Sequence, residues 1–163
     1  MRFKHIILIT LTFLIIGCDG SYESNKDEMV TELKTYSTTY VAVGGNAGND
    51  AVVLSSNDGI TWTSRTSGSR NLNGVTYGNG NFVAVGPSGT ILTSSDGITW
   101  DSKTSGTTIN LVEITFANNI FVIVGGNGTI LTSPNGNNWT SRTSGTSSGL
   151  LDVTFGNNTF VAT

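Results

Sequence analysis

The chain repeats itself with a period close to 39 residues, and this periodicity restricts the fold more than any other feature of the sequence. The tryptophans Trp62, Trp100 and Trp139 are separated by 38 and 39 residues. Two further aromatic rows follow the same spacing: Phe82, Phe121 and Phe160, and, five residues before each of these, Tyr77, Phe116 and Phe155. Periods of about 20 to 50 residues are typical of arrays in which one small structural unit is copied and stacked.

Each repeat predicts four short strands separated by tight turns. In the second repeat we expect strands at about 74–77, 82–85, 90–93 and 98–102. Val, Ile, Thr and aromatic residues fill these segments, and Gly and Asn, which tolerate positive φ, fill the breaks. Gly, Ser, Thr and Asn together make up 81 of the 163 residues because every repeat has the same composition of strands and turns. Four strands in about 40 residues indicate a propeller blade, so we expect an all-β fold, a β-propeller with about three and a half four-stranded blades and an incomplete ring.

The segments around the tryptophans carry a resemblance to a known family. They are SSNDGITW at 55–62, TSSDGITW at 93–100 and TSPNGNNW at 132–139. They resemble the Asp-box, or bacterial neuraminidase repeat, of sialidases and of the photosystem II stability/assembly factor family, whose motif is S-x-D-x-G-x-T-W. Here the acid abuts the glycine, so the first half is one residue short, and the third copy has Asn135 and Asn138 in place of Asp and Thr. The resemblance covers residues 37–163 and implies a propeller in which the motif forms the turn between the third and fourth strands of a blade.

We expect the motif residues to be structural and not catalytic. A carboxylate or amide oxygen can accept hydrogen bonds from turn amides, glycine can adopt positive φ, and tryptophan can pack between blades. The expected turn residues are Asp58, Gly59, Asp96, Gly97, Asn135 and Gly136, and the expected core residues are Trp62, Trp100 and Trp139.

A basic residue lies three positions after each tryptophan, and these residues, Arg65, Lys103 and Arg142, are called the basic row below. An offset of three along a strand places the cation on the face opposite to the ring. The row is either a solvated fourth strand whose charges discourage edge pairing, or a binding surface for an acidic partner. The resemblance to the assembly factors, in which a basic patch is used, supports the second interpretation.

The amino terminus has the pattern of an export signal. A basic MRFK start precedes an apolar run of 11 residues at 6–16, which is shorter than the roughly 20 residues needed to span a bilayer and typical of a signal peptide. IIGC at 15–18 resembles the bacterial lipobox, which implies cleavage before Cys18 and lipidation of that residue. A plain secretory signal with an incidental cysteine, or an uncleaved anchor, is the alternative.

The resulting organisation is a signal peptide at 1–17, a lipidated Cys18 with a charged tether at 18–36, and propeller repeats at 37–163. We therefore expect a lipid-anchored protein on the exported side of a membrane in the bacterial cell envelope.

Loss of the signal would remove several kinds of chemistry. It takes away His5, the sole histidine, as well as Arg2 and Lys4, and leaves six basic and eleven acidic side chains, a net charge of −5. Without histidine or a free thiol we expect no His acid–base chemistry, no Cys nucleophile, no ordinary zinc site and no cofactor. The chain has no basic stripe for nucleic acid.

A sialidase would require three arginines around a carboxylate, together with an Asp and a Tyr–Glu pair. Glu113 is the only glutamate in the repeats, and both tyrosines there occupy positions of the aromatic rows, Tyr77 within a row and Tyr40 at the position that aligns with Phe82. We therefore expect no catalytic residues and a non-catalytic scaffold that binds an envelope protein or a glycan. A fragment of a sialidase-like glycoside hydrolase or glycan-binding protein is the alternative from another class, and a decayed reading frame is a third.

Residues 160–163 align with 82–85, the second strand of a repeat. We expect a continuation that resembles V-G-x-x-G-T-I-L-T-S. The alternative is a natural short chain that completes its ring by oligomerisation.

Overall fold

A computed structural model describes residues 5–7, 38–45, 51–65 and 71–163. Cys18 and the tether, residues 18–36, lie outside these ranges, and so does most of the proposed signal peptide. The expectation of an all-β chain is confirmed, because the described residues form fourteen β-strands and two short 3-10 turns.

The strands form four antiparallel sheets in which chain neighbours are sheet neighbours. Sheet 1 contains β1 (His5–Ile7), β2 (Tyr40–Gly45), β3 (Ala51–Ser56) and β4 (Thr63–Arg65). Sheet 2 contains β5 (Gly74–Gly78), β6 (Asn81–Val85), β7 (Ile91–Ser94) and β8 (Asp101–Lys103). Sheet 3 contains β9 (Leu111–Ala117), β10 (Ile120–Gly125), β11 (Ile130–Ser133) and β12 (Thr140–Arg142), and sheet 4 pairs β13 (Val153–Gly156) with β14 (Thr159–Ala162).

The first strand of sheet 1 comes from a segment that the sequence analysis assigned to the signal peptide. The backbone of β1 pairs with β2 in the register His5↔Val43 and Ile7↔Val41. In sheets 2, 3 and 4, by contrast, the first and second strands follow one another in the chain and are joined by a tight hairpin. In sheet 2, for example, Tyr77 of β5 pairs with Phe82 of β6.

The fourth strand of the second repeat begins later than predicted. We expected 98–102, and the structure gives Asp101–Lys103. The backbone N–H groups of Ile98 and Thr99 are directed at the Asp96 carboxylate, at 2.7 and 2.9 Å, so they cannot join the ladder. The predicted start of this strand is wrong because the Asp96 side chain, and not the backbone of a neighbouring strand, accepts these N–H groups.

Three apolar layers separate the four sheets. Alternate residues of one strand enter different layers: Phe82 and Ala84 pack toward sheet 1, while Val83 and Val85 pack toward sheet 3. The strands are therefore apolar on both faces, as expected for a sheet covered on both sides. The third layer lies between sheets 3 and 4 and includes Val122, Val124 and Val153.

Backbone hydrogen bonds also join successive sheets at a repeating leucine. The N–H groups of Leu72, Leu111 and Leu150 donate to the carbonyls of Gly44, Gly86 and Gly125, at 3.2, 3.1 and 2.9 Å respectively. The three leucines are 39 residues apart. Each repeat is therefore tied to the one before it by a polar as well as an apolar contact.

Candidate binding surface

The turn that precedes the last strand of sheets 1, 2 and 3 is organised by a serine and an acid or amide two residues later. We call residues 56–62, 94–100 and 133–139 the tryptophan turns. In the first, Ser56 Oγ donates to Asp58 Oδ1 at 2.8 Å and accepts the N–H of Gly59 at 2.9 Å. Asp58 Oδ1 then accepts the N–H groups of Ile60 and Thr61, at 2.8 and 2.7 Å. The side chains thus satisfy turn amides that no strand can reach.

The second and third turns repeat this network. Asp96 Oδ1 accepts two backbone N–H groups at 2.7 and 2.9 Å, whereas Asn135 Oδ1 accepts the equivalent pair at 3.0 and 3.3 Å. The longer distances in the third turn are those expected when a neutral amide replaces a carboxylate, because charge-assisted hydrogen bonds are shorter.

These hydrogen bonds also set the ionisation of the two aspartates. The backbone N–H groups of Thr61 and Ile60, with the Ser56 hydroxyl, hold the pKa of Asp58 well below its usual range. The N–H groups of Thr99 and Ile98 lower the pKa of Asp96 in the same way, against a smaller opposing effect of burial. Both side chains are therefore carboxylates at neutral pH and unsuited to donate a proton as general acids.

The glycine of each tryptophan turn has positive φ, and those of the second and third turns lie against the preceding sheet. The φ angles of Gly59, Gly97 and Gly136 are 73°, 73° and 75°. A Cβ at Gly97 would lie 2.9 Å from Val41 Cγ2, and one at Gly136 would lie 2.9 Å from Val83 Cγ2. Glycine is thus required by the backbone angle and, in the second and third turns, also by packing.

Two of the three tryptophans lie at the edges of the apolar layers and not deep within them, and Trp62 is not part of the three layers. Trp100 packs on the layer between sheets 1 and 2, Trp139 on the layer between sheets 2 and 3, and both are half-buried. The indole N–H groups of Trp62 and Trp139 donate to the carbonyls of Gly59 and Gly136, at 3.2 and 3.1 Å. Within the described residues the indole N–H of Trp100 has no acceptor.

The basic row occupies the same position in three sheets. Arg65, Lys103 and Arg142 end β4, β8 and β12, where they pair with Val53, Ile91 and Ile130 respectively. Lys103 thus shares the face of Ile91, which packs toward sheet 3, while Trp100 packs toward sheet 1. Cation and ring lie on opposite faces of this sheet.

The two arginines are held by the neighbouring strand. Arg65 Nε donates to Ser55 Oγ and Arg142 Nε donates to Thr132 Oγ1, both at 2.8 Å. In each case the acceptor lies ten residues earlier. Lys103 Nζ lies 4.0 Å from Asp101 Oδ2. The row is therefore more ordered than a set of freely solvated cations.

Two cavities include a member of this row. A polar pocket of about 210 Å³ is lined by Arg65 and residues of the first tryptophan turn, with Ser55 and Thr63. An open depression of about 690 Å³ is lined by Lys103, Gly89 and the loop at 104–109. Concave surface thus adjoins two of the three cations, and only the pocket beside Arg65 is mainly polar.

The remaining candidate, Glu113, is buried in β9, and its Oε1 accepts the N–H of Ile114 at 3.1 Å. No group of three metal-ligating side chains occurs in the described part of the chain. Within the same ranges, no helix has the length and apolarity needed to cross a bilayer.

Sequence reasoning missed the residues that hold the site together. Ser56, Ser94 and Ser133 are the centres of the turn networks, and Ser55 and Thr132 orient the arginines. The sequence contains a pattern for both groups of residues. A serine precedes each acid or amide of the turns by two positions, and a hydroxyl residue precedes each cation of the basic row by ten.

A scan against protein-family models and a search of curated proteins found no match. The resemblance to the Asp-box repeats therefore stays a prediction from the residues of the tryptophan turns.

Proposed function

We propose that this protein is an exported lipoprotein whose repeat region is an Asp-box β-propeller that acts as a non-catalytic binding or assembly scaffold. The observation that supports binding most is the basic row. Three sheets present a cation at the same register position, and two of the three cations have their Nε fixed by a hydroxyl on the adjacent strand.

The propeller assignment is supported by the order of the sheets and by the way they stack. Each sheet is an antiparallel run of chain neighbours, and each is separated from the next by an apolar layer. The tryptophan turn also recurs between the third and fourth strands of sheets 1, 2 and 3, which is where the resemblance puts the Asp-box.

Attachment to the membrane is supported by the basic start, the 11-residue apolar run and the IIGC segment. Cleavage before Cys18 would also remove β1 and leave the edge of β2 open to another strand. Acyl chains on Cys18 would hold the exported domain at the membrane surface. The test is incorporation of radiolabelled palmitate in a bacterial host. We expect labelling of the natural chain and none of Cys18→Ser, and equal labelling of both would disprove the anchor.

An acidic partner is the expected ligand of the row because cations held in fixed positions attract carboxylates. The test is binding of a rhodamine-labelled hexaglutamate peptide to the full chain in detergent. We expect Arg65→Glu/Lys103→Glu/Arg142→Glu to abolish binding. The matched control is Lys26→Glu/Lys34→Glu/Arg70→Glu, which makes the same change in net charge outside the row and should retain most of the affinity.

Equal losses in both triple variants would show that net charge and not the row is responsible, and the proposal would then fail. Turnover of a fluorogenic sialoside by the natural chain would instead favour the glycoside hydrolase.

A further inference from the structure

We infer that the pocket beside Arg65 binds a carboxylate group carried by a peptide, either at its carboxyl terminus or on an acidic side chain. The inference rests on the proposed binding of an acidic partner by the basic row and assigns one contact within it. The pocket holds about 210 Å³ and is lined by Ser55, Ser56, Asn57, Asp58, Thr61, Thr63 and Arg65.

The guanidinium of Arg65 is oriented before any ligand arrives. Its Nε donates to Ser55 Oγ at 2.8 Å, and Ser55 is only 4% exposed. An anchor at Nε leaves the two terminal amino groups as a pair of parallel donors, the geometry that matches the two oxygens of a carboxylate. Because Arg65 is half-buried, this contact is less screened by water than one at a fully exposed cation.

Hydroxyl groups surround the guanidinium. Ser55, Ser56, Thr61 and Thr63 all line the pocket. A hydroxyl can donate to a carboxylate oxygen or accept from a peptide N–H, so the lining can satisfy both parts of a peptide end or of an acidic residue in an extended chain.

Asp58 limits the negative charge that a ligand of this pocket can carry. Its Oδ1 already accepts from Ser56 Oγ and from the N–H groups of Ile60 and Thr61, and these donors offset much of its negative charge. The charge that remains disfavours a dianion more than a monoanion, because like-charge repulsion grows with ligand charge. Asp58 thus cancels much of the extra attraction that Arg65 would exert on a dianion. The dianion also loses more hydration on entering the pocket, so the pocket favours a carboxylate over a phosphate.

Arg142 is an internal comparison. Its Nε has the same kind of anchor, Thr132 Oγ1 at 2.8 Å, but the side chain is exposed and the adjacent turn carries Asn135 in place of an aspartate. The matched control for Arg65→Lys is Arg70→Lys, which makes the same change at an arginine outside the basic row.

The test is a titration of the uniformly ¹⁵N-labelled full chain in detergent, followed at the Arg65 Nε–Hε and Thr63 backbone amide signals. The probes are acetyl-trialanine with a free carboxyl terminus, acetyl-Ala-Glu-Ala-amide, the fully capped trialanine amide, and phenyl phosphate. We expect saturable shifts with the first two, weaker binding of phenyl phosphate and none of the capped peptide. The tighter of the two carboxylate probes identifies the source of the carboxylate.

Arg65→Lys should weaken the carboxylate probes about fivefold or more, because it removes the paired donors and retains the charge. Ser55→Ala should weaken them severalfold by releasing Nε, while Arg70→Lys should leave the affinity unchanged. Equal shifts from the capped peptide, tighter binding of phenyl phosphate, or an equal loss in Arg70→Lys would each overturn the inference.

The hexaglutamate experiment separates this inference from the proposed function. If the row variant loses hexaglutamate and the carboxylate probes do not bind at Arg65, the row stands and the pocket assignment fails. If the probes bind at Arg65 and the row variant still binds hexaglutamate, the pocket stands and the acidic-partner proposal fails.

Discussion

At the scale of single residues, the pairing of a serine with an acid or amide two positions later determines the local structure of each repeat. Ser94 and Asp96 together accept the N–H groups of Gly97, Ile98 and Thr99. A turn that would otherwise leave several amides to water is closed by two short side chains. Because Asn135 builds the same network without a charge, the geometry and the ionisation can be tested separately.

The two aspartates should make stability depend on pH. Their pKa values in the fold are lowered by turn hydrogen bonds, below the value of about 3.9 expected in an unfolded chain. Their contribution is therefore complete above the unfolded pKa and is lost as pH falls through it toward the folded pKa. We expect the Tm to fall between about pH 5 and pH 2, measured by circular dichroism.

The variant Asp58→Asn/Asp96→Asn should retain the fold, since the third turn is made with asparagine, and should show a weaker decline of Tm over the same pH range. A decline as steep as that of the natural chain would assign the pH dependence to other carboxylates.

The glycine of the third tryptophan turn should be far less replaceable than another glycine with the same backbone angle. Gly136 and Gly145 have φ of 75° and 76°, but a Cβ would meet Val83 at 2.9 Å only at Gly136, and Gly145 has no atom within 4 Å. Gly145→Ala should cost about 1 kcal/mol from the left-handed backbone, and Gly136→Ala should cost about 1–3 kcal/mol more from overpacking.

Urea unfolding of both variants measures the difference. Equal costs would mean that the turn does not pack on the preceding sheet as tightly as the structure indicates.

At the scale of strands and sheets, each repeat is joined to the one before it by a leucine. We call these residues, Leu72, Leu111 and Leu150, the leucine row. Leu111 is fully buried between sheets 2 and 3, and its N–H donates to Gly86. Leu111→Ala should therefore destabilise the fold by about 2–5 kcal/mol. Leu151→Ala, at a side chain that is 70% exposed, should change stability by less than about 0.5 kcal/mol.

Urea unfolding of Leu111→Ala and Leu151→Ala measures the two changes in stability. A loss below about 1 kcal/mol for Leu111→Ala would contradict the tight contact between these sheets.

The strands were largely predictable, and their exceptions have physical causes. Segments of Val, Ile, Thr and aromatic residues between Gly- and Asn-rich breaks placed β5, β6 and β7 within one or two residues of their observed bounds. The start of β8 was not predictable from propensity, because the Asp96 carboxylate and not a strand binds the preceding amides. The leucine row was missed because it lies in segments of Ser, Thr, Asn and Gly that resemble ordinary loops.

At the scale of the whole molecule, the repeats create a stack of sheets and place the same groups at the same point of each. The aromatic rows and the basic row were visible in the sequence, but the anchoring of Arg65 on Ser55 and the pocket beside it depend on contacts between strands. The position of β1 was also not predictable, since the unpaired edge of β2 can accept any apolar segment in an extended conformation.

The proposed function requires the three cations of the basic row to act as one binding surface. The most direct measurement is the affinity of labelled hexaglutamate for Arg65→Gln, Lys103→Gln and Arg142→Gln, alone and in every combination. We expect each substitution to weaken binding, the losses to accumulate stepwise, and the triple variant to bind no longer. Unchanged affinity in all three single variants, or retained binding in the triple variant, would contradict the proposed function.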